Sequence, residues 1–219
     1  MKIDAINSIK SFKSLGRESL EALNKVAKIK VVDKDSILYY EGEKIECAYF
    51  LVDGLLELYK MDQNNNELFL CYVSSEEDAR LINCFGNFEP YIASASVHSL
   101  RTSTILLLEL HLLADLVSEY LDISNALLRE FMGKNIVFKN FINFKEIYDS
   151  TARVAYILRT QLDYFNKVQR QTIARELNIK IETLSRILQK MFQQGLIYKN
   201  NKGEICLSNK AEFERIYGG

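Results

Sequence analysis

The chain has 219 residues, 48% hydrophobic and 26% charged, the composition of a globular protein with ample core. No apolar run approaches the roughly 18 residues of a membrane span, and the opening MKIDAINSIKSF lacks the apolar stretch of a secretion signal, so the expected location is the cytoplasm, with no membrane partner. The net charge of −1 hides a split, with 16 basic against 23 acidic residues over 1–149 and 12 against 6 over 150–219, which predicts two domains, the second facing a polyanion.

In chain order, Ile6, Ile9 and Phe12, then Leu20, Leu23, Val26 and Ala27, have helical spacing and predict one or two short helices before residue 30. From about 30 to 110 the pattern becomes short β segments. IKVVDKDSILYYEGEK breaks at Asp33–Asp35 and again at Glu41-Gly42-Glu43. Asp53-Gly54 between two apolar runs predicts a hairpin, and Asn64–Asn66 a second one. Closely spaced strands of this kind predict a sandwich or barrel.

A long helix is predicted from Ile123 to about Phe144. Leu121, Leu128, Phe131, Asn135, Phe138 and Ile142 follow a heptad seam with Ser124 in the remaining slot. Leu127, Met132, Ile136 and Phe141 lie off that seam and are expected on the β domain. A helix with two apolar faces needs two partners, so the seam predicts a homodimer, with Asn135 setting register; burial inside a monomer is the competing reading.

After Asp149-Ser150 a helix is predicted from Ala152 to about Tyr164, then one over Arg170–Leu177, a turn at Asn178–Lys180, and a helix through IETLSRILQKM. That last helix is apolar along Leu184, Ile187, Leu188, Met191 and Phe192, and polar along Glu182, Ser185, Arg186 and Gln189. GLIYKNNKGEICLS then predicts two short strands around Asn200–Gly203. Helix, turn, helix and hairpin make a winged helix-turn-helix.

This order of elements, with RQTIARELNIKIETLSRILQKMFQQGLI, resembles the Crp/Fnr family of bacterial transcription regulators over nearly the whole chain. The match is strongest over 169–198, moderate over EGEKIECAYFLVDGLLELYK and poor over 76–95. The resemblance implies an α+β protein: a cyclic-nucleotide-binding-type β-barrel (jelly roll) over 1–120, a dimerisation helix and hinge over 121–148, and a winged helix-turn-helix over 149–219. It implies double-stranded DNA and a second copy of the chain as partners, with RNA polymerase a further one. Glu182, Ser185 and Arg186 match the family's base-reading positions, and Arg170, Lys180 and Thr183 its phosphate-holding positions. The chemistry agrees. Arg186 can donate twice to guanine O6 and N7, and Glu182 can accept from cytosine N4. Ile181 stands where the cAMP-responsive branch has another arginine, which favours a palindromic site of TTGAT-like halves.

The sensor segment departs from that family. RLINCFGNFEPYIASASVHSL has Ser94 where the cAMP-binding members have serine, but Ala93 replaces their arginine and no Gly-Glu pair precedes it. Without that guanidinium the bidentate phosphate partner is lost, so cAMP is not expected. An iron–sulfur cluster is not expected either, because Cys47, Cys71, Cys84 and Cys206 are scattered; the same spacing argues against zinc and disulfides. Haem sensing NO or CO, with His98, His111, Cys71 or Cys84 as candidate ligands, is left open beside a small organic effector, a redox-sensitive thiol, and an effector-free architectural role. Phe85, Phe88 and Tyr91 are expected to line an apolar barrel interior. Two histidines and no nucleophile–base set, paired carboxylates or P-loop argue against an enzyme.

Overall fold

The computed structural model describes residues 2–142 and 148–217. The chain forms two compact units, Met1–Lys139 and Asn140–Gly219.

The first unit opens with α1 (Lys2–Ser8), a 3-10 turn (Lys10–Phe12) and α2 (Arg17–Val26). Seven strands follow: β1 (Lys28–Val32), β2 (Ile37–Tyr39), β3 (Lys44–Ile45), β4 (Cys47–Met61), β5 (Glu67–Ser74), β6 (Tyr91–Ile92) and β7 (Ser96–Glu109). Then come α3 (Leu110–Glu119) and α4 (Leu121–Ile142). The strands make an antiparallel sheet in the order β1-β7-β4-β5, with β2 also on β7, and a separate β3–β6 pair. The two long strands are buried on both faces. Leu51, Leu56, Val97 and Ile105 fill the barrel interior, while Phe50, Leu106 and Leu108 pack under Ile6, Ile9, Phe12 and the α3–α4 helices. Burying each such side chain is worth about 1.5–3 kcal/mol.

Two turn expectations have different outcomes. The second hairpin forms as read. The Asp62 carboxylate accepts from the backbone N–H groups of Asn64 and Asn66 at 2.7 and 2.8 Å, and Asn65 takes φ 59°. The Asp53-Gly54 hairpin does not form. β4 runs straight through it, and β7 is long enough to pair on both sides, with register shifts between Leu51 and Leu56. Gly54 supplies a bulge rather than a turn: its φ is +128°, and a Cβ there would sit 2.1 Å from Ser103 Oγ.

The long helix does have two apolar faces, but they are not the predicted pair. Ile123, Ala126 and Leu127 join the core, Gly133 lies on Ala79, and Phe131 meets Phe85 edge-on at 5.1 Å. Met132 and Ile136, expected on the barrel, are 60% and 61% exposed and share the outward face with Leu121, Leu128, Asn135 and Ile142. The outward stripe is therefore rotated by roughly 40° from the predicted seam, at 100° per residue. Polar anchoring sets this rotation. Glu130 is 1% exposed and accepts hydrogen bonds from Ser11 Oγ and from the Arg80 and Leu81 N–H groups. The expected helix end near 144 lies outside the described residues.

The second unit contains α5 (Ser150–Thr160), α6 (Leu162–Lys167), α7 (Arg170–Glu176), α8 (Ile181–Gln193), β8 (Ile197–Lys199), β9 (Ile205–Leu207) and α9 (Lys210–Tyr217). The single helix expected over 152–164 is two helices. Gln161, at φ −139° and ψ 42°, breaks the chain so that Phe165 can enter the core. Asp149 caps α5 by accepting from Ala152 N–H at 2.8 Å.

Candidate nucleic-acid interface

Helix α8 is oriented by its buried side. Leu184, Ile187, Leu188 and Met191 lie in one core with Ile173, Ala174 and Leu177 of the preceding helix and turn. Both helices end in the same left-handed motif. Asn178 (φ 50°) closes α7, with Ile179 N–H on Ala174 O at 3.0 Å, and Gly195 (φ 69°) closes α8, with Leu196 N–H on Met191 O at 3.0 Å. Arg153 of α5 pins the turn, donating to Leu177 O at 3.0 Å.

With the apolar side docked, Glu182, Ser185, Arg186 and Gln189 are all exposed on the opposite face. Among the described residues, neither Glu182 nor Arg186 has an ion-pair or side-chain hydrogen-bond partner. Ser185 Oγ donates to Ile181 O at 3.0 Å, which leaves its lone pairs outward. Lys180 is the exposed residue just before α8, and Thr183 is half-buried in the first turn.

Arg170 is held differently. Its guanidinium stacks over the Phe165 ring at 3.9 Å and gives one N–H to the Phe165 carbonyl. Partial burial lowers its pKa from the usual arginine range, yet arginine stays charged and keeps further donors for another partner.

Sequence reasoning missed the supports of the wing. Asn166 both donates to Ile205 O and accepts from Ile205 N–H, each at 2.9 Å, so α6 holds β9 in place. The wing turn exposes Lys199 and Lys202, and Asn200 Oδ1 accepts from the Lys202 and Glu204 N–H groups at 2.9 and 3.0 Å. The KNNKG run was a usable signal for a cationic turn.

In the barrel, a cavity of about 60 Å³ is bordered by Tyr39, Ile82, Cys84, Tyr91, Ala93 and Phe138. Ala93 and Ser94 both line it, so a methyl stands where the resemblance would place a phosphate-binding guanidinium. Tyr91 lines it as expected and its hydroxyl accepts from Asn83 at 2.6 Å; burial pushes the phenol up to about 12. Phe85 and Phe88 do not line it. They pack on each other and, through Phe85, on Phe131 in the helix-side core. Phe138, placed on the dimer seam by its spacing, borders this cavity and is also 37% exposed. His98 lies near the start of β7, paired across from Ile37 and Glu57. His111 is largely exposed at the start of α3, 3.7 Å from Glu109. No metal-holding cluster of His, Cys, Asp or Glu occurs among the described residues, and none of their helices is long and apolar enough to cross a membrane.

Comparison with known proteins adds an independent line. No curated protein sequence matches the chain. Among solved structures it is similar to FixK2 from Bradyrhizobium japonicum, with 19% identity, TM-score 0.61, and 87% of this chain and 96% of that one covered. It is also similar to a CooA mutant from Carboxydothermus hydrogenoformans, with 15% identity, TM-score 0.63 and 90% of each chain covered. A third is the c-di-GMP responsive global regulator CLP of Xanthomonas campestris, with 14% identity, TM-score 0.62, and 89% and 100% covered. At these identities the likeness shows the fold. The family models are more specific: a cyclic nucleotide-binding domain matches residues 29–120, and a Crp-like helix-turn-helix domain matches 152–216. With both domains in the family's order and a helix-turn-helix whose polar face stands free, the chain belongs to the Crp/Fnr family of DNA-binding transcription regulators.

Proposed function

We propose that the protein acts as a homodimer reading a palindromic TTGAT-like site, under control of a small effector other than cAMP held in the barrel. The observation that carries this reading is the exposed Glu182–Arg186 pair on α8 with no partner of its own among the described residues. Two unpaired charges of opposite sign one turn apart suit a major groove, where guanine offers acceptors and cytosine a donor. Glu182, Ser185 and Arg186 are the base readers. Arg170, Lys180 and Thr183 hold phosphates, joined by Lys199 and Lys202 of the wing. Dimerisation uses the outward stripe of α4 (Leu121, Leu128, Met132, Ile136, Ile142, with Asn135 among them), an apolar strip too long to favour water. Of the seam residues read from the spacing, Leu128, Asn135, Phe138 and Ile142 stay in this proposal, Phe138 at the edge of the cavity, while Phe131 packs on Phe85.

The test is fluorescence anisotropy on duplexes carrying two TTGAT-type half-sites about one helical turn apart, against a scrambled duplex of equal length. Tighter binding to the palindrome by about 1,000-fold or more is expected. Equal affinity for both duplexes would refute the sequence-reading role.

A further inference from the structure

The phosphate grips proposed before and after α8, Arg170 and the wing lysines, are fastened to one short helix. In α6 the adjacent residues Phe165 and Asn166 serve different partners. Phe165 is fully buried; its ring lies 3.9 Å from the Arg170 guanidinium, and its carbonyl accepts from the same group. Asn166 reaches the wing. Its Nδ2 donates to Ile205 O and its Oδ1 accepts from Ile205 N–H, each at 2.9 Å.

Both of these bonds go to the outer edge of β9. Ile205 stands across from Lys199, while the next pair is bonded, Asn200 N–H donating to Glu204 O at 2.9 Å. Bonded and non-bonded pairs alternate along an antiparallel ladder, so Ile205 turns its backbone groups away from β8. The Asn166 amide therefore acts on β9 as a neighbouring strand would. A carboxamide suits this task because it carries a donor and an acceptor side by side. The wing needs such support, since two strands of three residues make a hairpin that is marginal by itself.

The tip of the wing is fixed internally. Asn200 Oδ1 accepts from the Lys202 and Glu204 N–H groups, and its Nδ2 donates to the Glu204 carboxylate at 2.7 Å. Neither Lys199 nor Lys202 has an ion-pair or side-chain hydrogen-bond partner among the described residues. The acid is tied to Asn200, and both ammonium groups remain for an outside anion. A turn that is rigid in itself moves as a body, so its anchor at Ile205 decides where its cations stand.

We infer that Asn166 is a positioning residue for DNA binding: by pairing with Ile205 it sets Lys199 and Lys202 against the DNA backbone, as Phe165 sets Arg170, so that α6 fixes the distance between the two grips. This rests on the reading of Arg170 and the wing as phosphate contacts. Cations held in place lose less freedom on binding, and phosphate contacts carry no sequence information. Loosening the wing should therefore weaken binding and its salt dependence without changing sequence preference.

The test uses the purified full-length protein with Asn166→Ala and Asn166→Leu, the second close in shape but able to form neither bond. Without DNA, hydrogen exchange over 197–207 should quicken in both variants while α8 exchanges as in wild type. On the palindromic and scrambled duplexes alike, both variants should bind roughly threefold to tenfold more weakly, with the log–log salt slope reduced by about one to two. In a Lys199→Ala/Lys202→Ala background Asn166→Ala should cost nothing further, whereas beside Arg186→Ala it should cost the same factor as in wild type. The proposal is overturned if the wing exchanges no faster, if Asn166→Leu behaves as wild type, or if the loss is as large without the two lysines. It is also overturned if both variants melt below the assay temperature, which would make Asn166 a residue of the fold alone. Equal affinity of wild type for the two duplexes would refute sequence reading and leave these comparisons to decide the role of Asn166.

Discussion

Arg186 and Glu182 illustrate how much one residue's role depends on what it does not touch. Both stand free on α8, so replacing them should leave folding intact and change recognition only. Arg186→Ala is expected to cost about 1–3 kcal/mol on the preferred duplex and to relax its specificity at one base pair. Lys180→Ala should instead weaken binding to every sequence alike and reduce the log–log salt slope by about one. Anisotropy titrations at several salt concentrations separate the two; identical, sequence-blind losses would sink the assignment. Glu130 is the contrasting case. It was unremarked in the sequence because an isolated Glu on a helix reads as surface, whereas here it accepts three hydrogen bonds in a buried site. Glu130→Ala strands those donors and should destabilise the first unit by about 2–4 kcal/mol in chemical denaturation. Asn166 and Arg153 escaped notice for the same reason, since their partners, Ile205 and Leu177, are backbone groups distant in sequence.

At the scale of elements, periodicity located the helices and most strands, but not which way each one faces. α4 shows this best. Leu128, Asn135 and Ile142 satisfy both the predicted seam and the observed stripe, so spacing alone could not exclude the neighbouring face, and Phe131 was read outward although it meets Phe85. Met132→Asp combined with Ile136→Asp should therefore yield a folded single chain near 25.3 kDa by light scattering, where the proposed wild-type dimer should have twice that mass. An unchanged dimer would move the interface elsewhere. The start of α4 offers a pH test. Burial raises the Asp122 carboxyl, but hydrogen bonds from Ser19 Oγ and the Gly16 and Ile123 N–H groups outweigh it, so the net shift is downward. A depressed carboxyl stabilises the fold above its unfolded pKa of about 3.9, and this contribution is lost as pH falls through the lower folded value. Melting scans should show Asp122→Asn below wild type at pH 7, with the gap closing under strongly acidic conditions. Gly54→Ala should cost more than about 1 kcal/mol, because φ +128° and the Ser103 side chain both oppose a Cβ.

For the whole molecule, the amino-acid order by itself determined the two-part organisation, the strand-rich first part, the helix-turn-helix with its wing, and the polar row on α8. These follow from local signals: charge balance, the 2.0 and 3.6 periods, and turn residues such as Asn64–Asn66 and Asn178, which act within a few residues of themselves. The absence of an arginine at position 93 was equally legible, because an omitted donor needs no coordinates to be noticed. Only the tertiary structure decided which face of α4 meets the barrel, that β4 passes through Asp53-Gly54 without turning, and that Phe138 rather than Phe85 or Phe88 borders the cavity. Each of these is a contest between alternatives of similar local energy. Bonds and packing between residues far apart in sequence settle it: Glu130 with Ser11, β4 with β7, and Gly133 against Ala79.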